Sequence, residues 1–225
     1  MVKPKDMAPP VPRAERKITI HDRVWYLPVR SDISSFQFPG WCSEPLFSTE
    51  QPVHIEFCSG NGAWIAEKAI RHPEINWLAV EKRFDRCRKI WSKIHNHKLP
   101  NLVVAFAEGL HLSTSFIPCT SVSTVYVNFP DPWPKKRHAK HRIISLPFFL
   151  EMSRILRDNG SLIFVTDDEP YSELFLQLSQ EQLALKQQLS APGFAEPPQE
   201  YGTSFFDALF KSQGKSIRYH ILKKC

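Results

Sequence analysis

Asp131 stands between Pro130 and Pro132 in the run Asn128-Phe-Pro-Asp-Pro-Trp-Pro-Lys-Lys-Arg-His138, and Lys135, Lys136, Arg137, Lys140 and Arg142 follow it with no acid among them. Flanking prolines fix φ and narrow the directions in which a carboxylate can point. A rigid acid ahead of a cationic stretch suits a site that holds a nucleic acid and acts on one base: the cations meet phosphates and the acid meets hydrogen-bond donors. The competing reading is a surface turn with a solvated basic flank, and the density of cations weighs against it. Residues 123–127, Ser-Thr-Val-Tyr-Val, are β-branched and aromatic and read as a strand. Asp131 therefore falls in a loop at a strand's carboxyl end, where open parallel α/β sheets keep their ligands.

A second group lies upstream. Residues 53–57 form a short apolar run that ends at Cys58-Ser-Gly-Asn-Gly62, and residues 63–71 read as a helix stopped by Pro73. A dinucleotide fingerprint needs a third glycine where this chain has Ile65, so a pyrophosphate ligand is disfavoured. What remains is Glu56, Cys58, Gly60 and Gly62 after one strand, and Glu81 at the end of the next, about 20 residues on, a spacing suited to ribose hydroxyls. Glu108 closes the third strand, where its carboxylate or the adjacent backbone can meet an adenine. Three acids around a glycine loop fit a cationic ligand without phosphates, such as S-adenosylmethionine with its sulfonium and ammonium groups.

These residues need elements to carry them. After the strand at 76–80, Phe84, Cys87, Trp91 and Ile94 make one apolar helical stripe. Residues 102–107 supply a third strand. Residues 146–157 read as a helix with Phe148, Phe149, Met152, Ile155 and Leu156 on one face, capped by Ser145 and ended by Asn159-Gly160. Residues 161–166 follow as a fifth strand, 171–187 as a polar-faced helix and 216–222 as a last strand. Alternating strands and helices predict an α/β fold with a doubly wound, mainly parallel sheet.

Composition narrows the partners. The chain has 225 residues, 42% hydrophobic and 23% charged, and a net charge of +6 with a pI near 9.1, which favours an anionic partner. No apolar stretch has the length of a membrane span and the start lacks a signal peptide's apolar core, which predicts a soluble, cytoplasmic protein. The five cysteines are scattered and never form Cys-x-x-Cys, which argues against a disulfide framework and a zinc site. Residues 1–50, proline-rich and basic at their start, read as an N-terminal arm, disordered over the first dozen residues, ahead of one domain at 51–225.

From about residue 53 to residue 218 the chain resembles the bacterial-type tRNA (guanine-N7-)-methyltransferases, most specifically over residues 128–138. The resemblance implies a class I methyltransferase (Rossmann-like) fold, S-adenosylmethionine as methyl donor and no metal, a guanosine of the tRNA variable loop as acceptor, and a single-chain enzyme without an obligate protein partner. It further implies that Glu56, Glu81, Glu108 and Asp131 contact the donor, that Asp131 is catalytic, and that Lys135 and Asp167 bind substrate. The family's C-terminal substrate-binding Thr-x-Tyr-Glu is matched here by Ser204-Phe205-Phe206-Asp207, so the resemblance implies a substrate-binding role for these four residues, with the Tyr hydroxyl lost at Phe206. Cys58 replaces the usual loop glycine, and Glu108 replaces the commoner Asp.

The chemistry is consistent with that implication. Guanine N7 carries an in-plane lone pair and attacks a sulfonium methyl without prior deprotonation, so the protein's task is alignment, which supplies roughly 7 to 11 kcal/mol. Asp131 can accept from the guanine N1 and N2 donors, Lys135 can pair with a phosphate or O6, and Trp133 can stack on a base or anchor the loop. Lys136, Arg137, Lys140 and Arg142 would position the RNA backbone. Two other readings stay open: an amino-methyltransferase acting on another base or a protein amide, and a non-catalytic RNA-binding module on the same fold. An Asn/Asp-Pro-Pro-aromatic loop would favour the first, and the sequence Asn128-Phe-Pro-Asp131 lacks it.

Overall fold

A computed structural model of the chain describes residues 1–10, 12–181, 184–187, 197, 201–202 and 204–225, with the side chains of Arg13 and Lys136 also left out. Two compact units divide it, Met1–Ile117 and Pro118–Cys225.

In the first unit, β1 (Thr19–His21), β2 (Val24–Tyr26), β3 (Val53–Phe57), β4 (Asn76–Glu81) and β5 (Leu102–Phe106) make a sheet in the order β1-β2-β5-β4-β3. All neighbours are parallel except β1 and β2, which form an antiparallel hairpin. Every residue of β4 is buried, as expected of a central parallel strand that reads as a continuous apolar run. The helices are α1 (Ala63–Arg71), α2 (Phe84–His97) and α3 (Gly109–Phe116). Of the apolar stripe expected on α2, Cys87, Trp91 and Ile94 go inside, joined by Ile90, while Phe84 is half-buried.

The second unit holds β6 (Val122–Asn128), α4 (Leu146–Ile155), β7 (Leu156–Thr166), α5 (Glu169–Gln180), β8 (Leu185–Gln187), α6 (Phe205–Ser212) and β9 (Arg218–Lys224). β6 and β7 are parallel, while β9 runs antiparallel to both β7 and β8. The first unit is thus parallel apart from its marginal hairpin, while the second joins one parallel pairing to two antiparallel ones, a mixed α/β sheet with its antiparallel strands at the margin.

Four expectations change. Residues 19–26, placed in an N-terminal arm, form β1 and β2, with Val24, Trp25 and Tyr26 buried on β5. The first residues are also tied down: Asn96 exchanges two hydrogen bonds with the backbone of Val2, Arg88 Nε donates to the Met7 carbonyl at 2.8 Å, and Met7 is buried. The apolar residues among the prolines, not the basic ones, decided the outcome. Asn159-Gly160 does not end α4. The helix stops at Ile155, and the Asn-Gly pair lies inside β7, where the register against β6 shifts between Val122 and Thr124. A Cβ at Gly160 would sit 2.7 Å from the Arg157 carbonyl, so the glycine serves close backbone approach. The helix read over 171–187 ends at Gln180, and its last three residues are β8 instead.

Candidate active site

The loop between β3 and α1 is built from left-handed residues. Cys58, Gly60 and Gly62 all have positive φ, at 60°, 57° and 70°. Gly62 is required twice over: a Cβ there would meet Ile90 Cγ1 at 2.5 Å and a backbone conformation that L side chains rarely adopt. The buried Ser59 closes the turn by donating from Oγ to the Glu56 carbonyl at 2.8 Å and from its N–H to the Val80 carbonyl. Glu81, buried at the end of β4, ties this loop to the start of α2. Its Oε2 accepts the Gly60 N–H at 3.0 Å, its Oε1 accepts the Arg83 N–H at 2.8 Å, and Arg86 stands 3.6 Å away. A carboxylate has about four acceptor positions, so two N–H donors leave capacity for ribose hydroxyls.

Glu56 is buried at 3% exposure on β3 and lies beside the same loop. Glu108 behaves differently: it is exposed and caps α3, accepting the N–H groups of Leu110 at 3.3 Å and His111 at 2.8 Å. Two N–H donors leave acceptor capacity here too, so both expected routes to an adenine, the carboxylate and the adjacent backbone, stay open. Desolvation, with the Glu81 carboxylate adding to it, pushes the Cys58 thiol up to about 12, although the residue is exposed at the surface.

In the second unit β6 delivers Asp131 as its sequence predicts, in a loop held by backbone bonds. The Phe129 N–H donates to the Val165 carbonyl at 2.8 Å, and the Trp133 N–H donates to Asp131 Oδ1 at 3.2 Å. Phe129 and Trp133 both adopt positive φ, at 47° and 44°, unusual for bulky residues and of the kind of strain that collects at functional sites. Asp131 and Lys135 are exposed. Trp133 anchors the loop, its ring set against His138 and His141 with centroids 5.5 and 5.3 Å away.

Arg142 does not face outward with the other cations. Its Nε and Nη2 donate to the carbonyls of Pro132 and Trp133 at 2.8 and 3.1 Å, and its guanidinium lies 5.8 Å over the Tyr171 ring. That geometry makes it a brace of the Asp131 loop. Arg137 and Lys140 are exposed, as a backbone-positioning role needs, while the side chain of Lys136 lies outside the described residues.

The substrate segment implied by resemblance divides in two. Ser204 caps α6 by accepting the Asp207 N–H at 3.0 Å. Asp207 is buried at 1% exposure, accepts from the Tyr219 hydroxyl, and pairs with Lys211 at 3.1 Å. Phe205 and Phe206, by contrast, are exposed. Asp167 pairs with Lys215 at 2.5 Å.

Sequence reasoning missed the ties that run from this segment to the Asp131 loop. Tyr201 donates its hydroxyl to Asn128 Oδ1 at 3.0 Å and packs edge-on against Tyr219. The Phe129 ring lies 6.1 Å from Phe206 and 5.6 Å from Phe210. The phenylalanines at 206 and 210 share a helical face by their spacing, but nothing local in the sequence tells that Phe129 meets it.

Comparison with known proteins gives the family and the fold. The family described as "putative methyltransferase" matches residues 50–218. The tRNA (guanine-N(7)-)-methyltransferase of Chlamydia abortus is 40% identical over 219 residues, covering 97% of this chain and 96% of its own, and that of Chlamydia muridarum is 41% identical over 217 residues, covering 96% and 95%. Among solved structures, the 16S rRNA methyltransferase KamB superposes with a TM-score of 0.54 at 15% identity over 79% of this chain and 89% of its own, a likeness of fold. With Glu56, Glu81 and Asp131 each at a strand's carboxyl end and near-full-length relatives of one name, the chain belongs to the tRNA (guanine-N7-)-methyltransferase family.

Proposed function

We propose that this chain transfers a methyl group from S-adenosylmethionine to N7 of a variable-loop guanosine in tRNA, in the cytoplasm and as a single chain without an obligate protein partner. The observation that carries the proposal is the Asp131 loop: an exposed carboxylate, fixed by the Trp133 N–H and braced by Arg142, at the head of an exposed cationic stretch. Among the described residues no helix is long and apolar enough to cross a membrane.

The residues present fit the donor. A Cβ placed on Gly60 would meet nothing closer than the Cys58 carbonyl at 3.9 Å, so the loop leaves room above it, and the buried Glu81 and Glu56 supply negative charge for a cationic ligand. Glu81 would take the ribose hydroxyls and Glu56 the amino-acid end, with Gly60 and Gly62 allowing close backbone approach. The donor supplies an electrophilic methyl on a sulfonium.

The chain's own residues supply alignment. Asp131 accepts hydrogen bonds from the guanine N1 and N2 donors and offsets the positive charge that reaches the ring when N7 is alkylated. No proton leaves in that step, so no general base is needed. Lys135 neutralises a phosphate or meets O6, and Arg137 and Lys140 hold the backbone.

Transfer of labelled methyl groups to unmodified tRNA, followed by cleavage at 7-methylguanosine, tests the reading. Label at a variable-loop guanosine is the expected result; label at another position or on an exocyclic amine would overturn the assigned acceptor. Asp131→Ala is expected to lower turnover by at least a hundredfold while tRNA affinity stays within about threefold, and wild-type turnover in that variant would remove Asp131 from catalysis.

A further inference from the structure

Four phenylalanines and a lysine of the second unit form a surface that takes in Phe205 and Phe206 of the substrate segment and extends beyond it to Phe129, Phe210 and Lys215. Phe205 and Phe206 open α6 at 60% and 44% exposure, among the most exposed large apolar side chains of the described residues. Phe206 stacks on Phe210 at 5.8 Å and 25°, Phe205 meets Phe206 edge-on at 5.4 Å, and the half-buried Phe129 joins both Phe206 and Phe210. Lys215 places its ammonium 4.3 Å from the Phe210 ring centre. Exposed rings in contact cost solvation that a folding chain has no reason to accept when the neighbouring Ser204 and Asp207 are buried.

From this arrangement we infer that the Phe129–Phe206–Phe210 surface, with Phe205 at its margin, is a stacking platform for an unpaired base of the RNA next to the one that Asp131 holds. The inference rests on the proposed tRNA substrate and deepens it. Three observations favour a base over an apolar protein partner. The rings are stacked and tilted, presenting π-faces rather than a greasy groove. Exposed cations accompany them in the chain: Lys211 lies in the last turn of α6, Lys215 holds its ammonium over the Phe210 ring, and Lys135, Arg137 and Lys140 follow Phe129 in the Asp131 loop, in keeping with a phosphate chain. Finally, Phe129 lies two residues from Asp131 and takes its place only through a left-handed backbone at φ 47°, so the platform and the carboxylate are set by one rigid loop. Aromatic platforms of this kind bind bases with little sequence preference, and removing a single stack weakens binding about five- to hundredfold. A base drawn out and stacked here would leave its neighbour splayed toward Asp131, so the platform would act on substrate binding more than on the chemical step.

The test compares the full chain with Phe205→Ala/Phe206→Ala, Phe206→Leu and Phe206→Trp for affinity to tRNA carrying 2-aminopurine beside the target guanosine, with donor affinity and thermal unfolding as controls for folding. The expected result is a five- to hundredfold loss of tRNA affinity in the alanine pair, most of that loss in Phe206→Leu, retention in Phe206→Trp, and 2-aminopurine quenching only in chains that keep the rings. A raised KM with kcat nearly unchanged should accompany the loss. Unchanged tRNA affinity in the alanine pair overturns the platform, and full affinity in Phe206→Leu overturns stacking in favour of an apolar docking face for protein. The proposed function is read separately: ring-dependent RNA binding without label at guanine N7 would keep the platform and discard the acceptor, whereas a wild-type chain that binds no RNA would discard both.

Discussion

Cys58 shows how much one residue can record about a site. It takes the left-handed conformation that Gly60 and Gly62 adopt freely, with φ 60°. A left-handed L residue costs roughly 1–2 kcal/mol and the entropy of a glycine returns about half of that, so Cys58→Gly should raise stability by about 1 kcal/mol in urea unfolding with donor affinity preserved. The thiol adds a pH dependence. Its folded pKa, about 12, lies above the ordinary value of 9.0, so its contribution to stability is complete below pH 9 and is lost as pH rises toward 12. Cys58→Gly should therefore unfold less steeply with rising pH across that window than the parent chain. Asp207 makes the opposite case. Its side chain holds the Tyr219 hydroxyl and Lys211 from a buried position, and Asp207→Ala should cost about 2–3 kcal/mol, seen as a lower midpoint in chemical unfolding, because it removes a buried charged acceptor together with its hydrogen bond and its ion pair. A drop in tRNA affinity without loss of stability would return Asp207 to the substrate.

At the scale of elements, the β3 loop and the Asp131 loop are held by different means. The first depends on the fit of Gly62 against Ile90 of α2. Gly62→Ala combines a strained φ with a contact of 2.5 Å, and an expected loss of about 3 kcal/mol should appear in thermal unfolding together with weaker donor binding. The second depends on side-chain reach from beyond the loop: Arg142 from its far end, Tyr201 to Asn128, and the rings of α6. The strand, glycine-loop and helix order around Glu56 and Glu81 was legible because its signals are local, an apolar run, turn residues and an apolar stripe. Asp131 was legible for the same reason, since its prolines and cations are contiguous. The bracing role of Arg142, the burial of Asp207 and the exposure of Phe205 and Phe206 were not, because each is set by a partner distant in sequence. The helix-stop signal of Asn159-Gly160 also misled, because the strand pairing of β7 with β6 overrode it.

The molecule as a whole carries a charge of +6, and the described structure separates cations that can meet RNA from those that build the protein. Arg137 and Lys140 are exposed on the Asp131 loop, so the pair Arg137→Ala/Lys140→Ala should flatten the dependence of log tRNA affinity on log salt by about 0.7–0.9 for each phosphate left without its cation. Arg142→Ala should leave that slope nearly unchanged and depress turnover instead, since it releases the loop that carries Asp131. Salt titrations of the two variants side by side separate the roles, and equal slopes would merge them. The hairpin of β1 and β2 bears on how this protein is made. Trp25 and Tyr26 leave the ribosome well before Phe106, the last residue of the β5 strand they pair with, so at about 5–20 residues per second they wait several seconds for that strand. During synthesis the nascent hairpin exposes the second edge of an aromatic strand before its partner exists, the condition under which cells enlist a chaperone and under which fast overexpression yields aggregates.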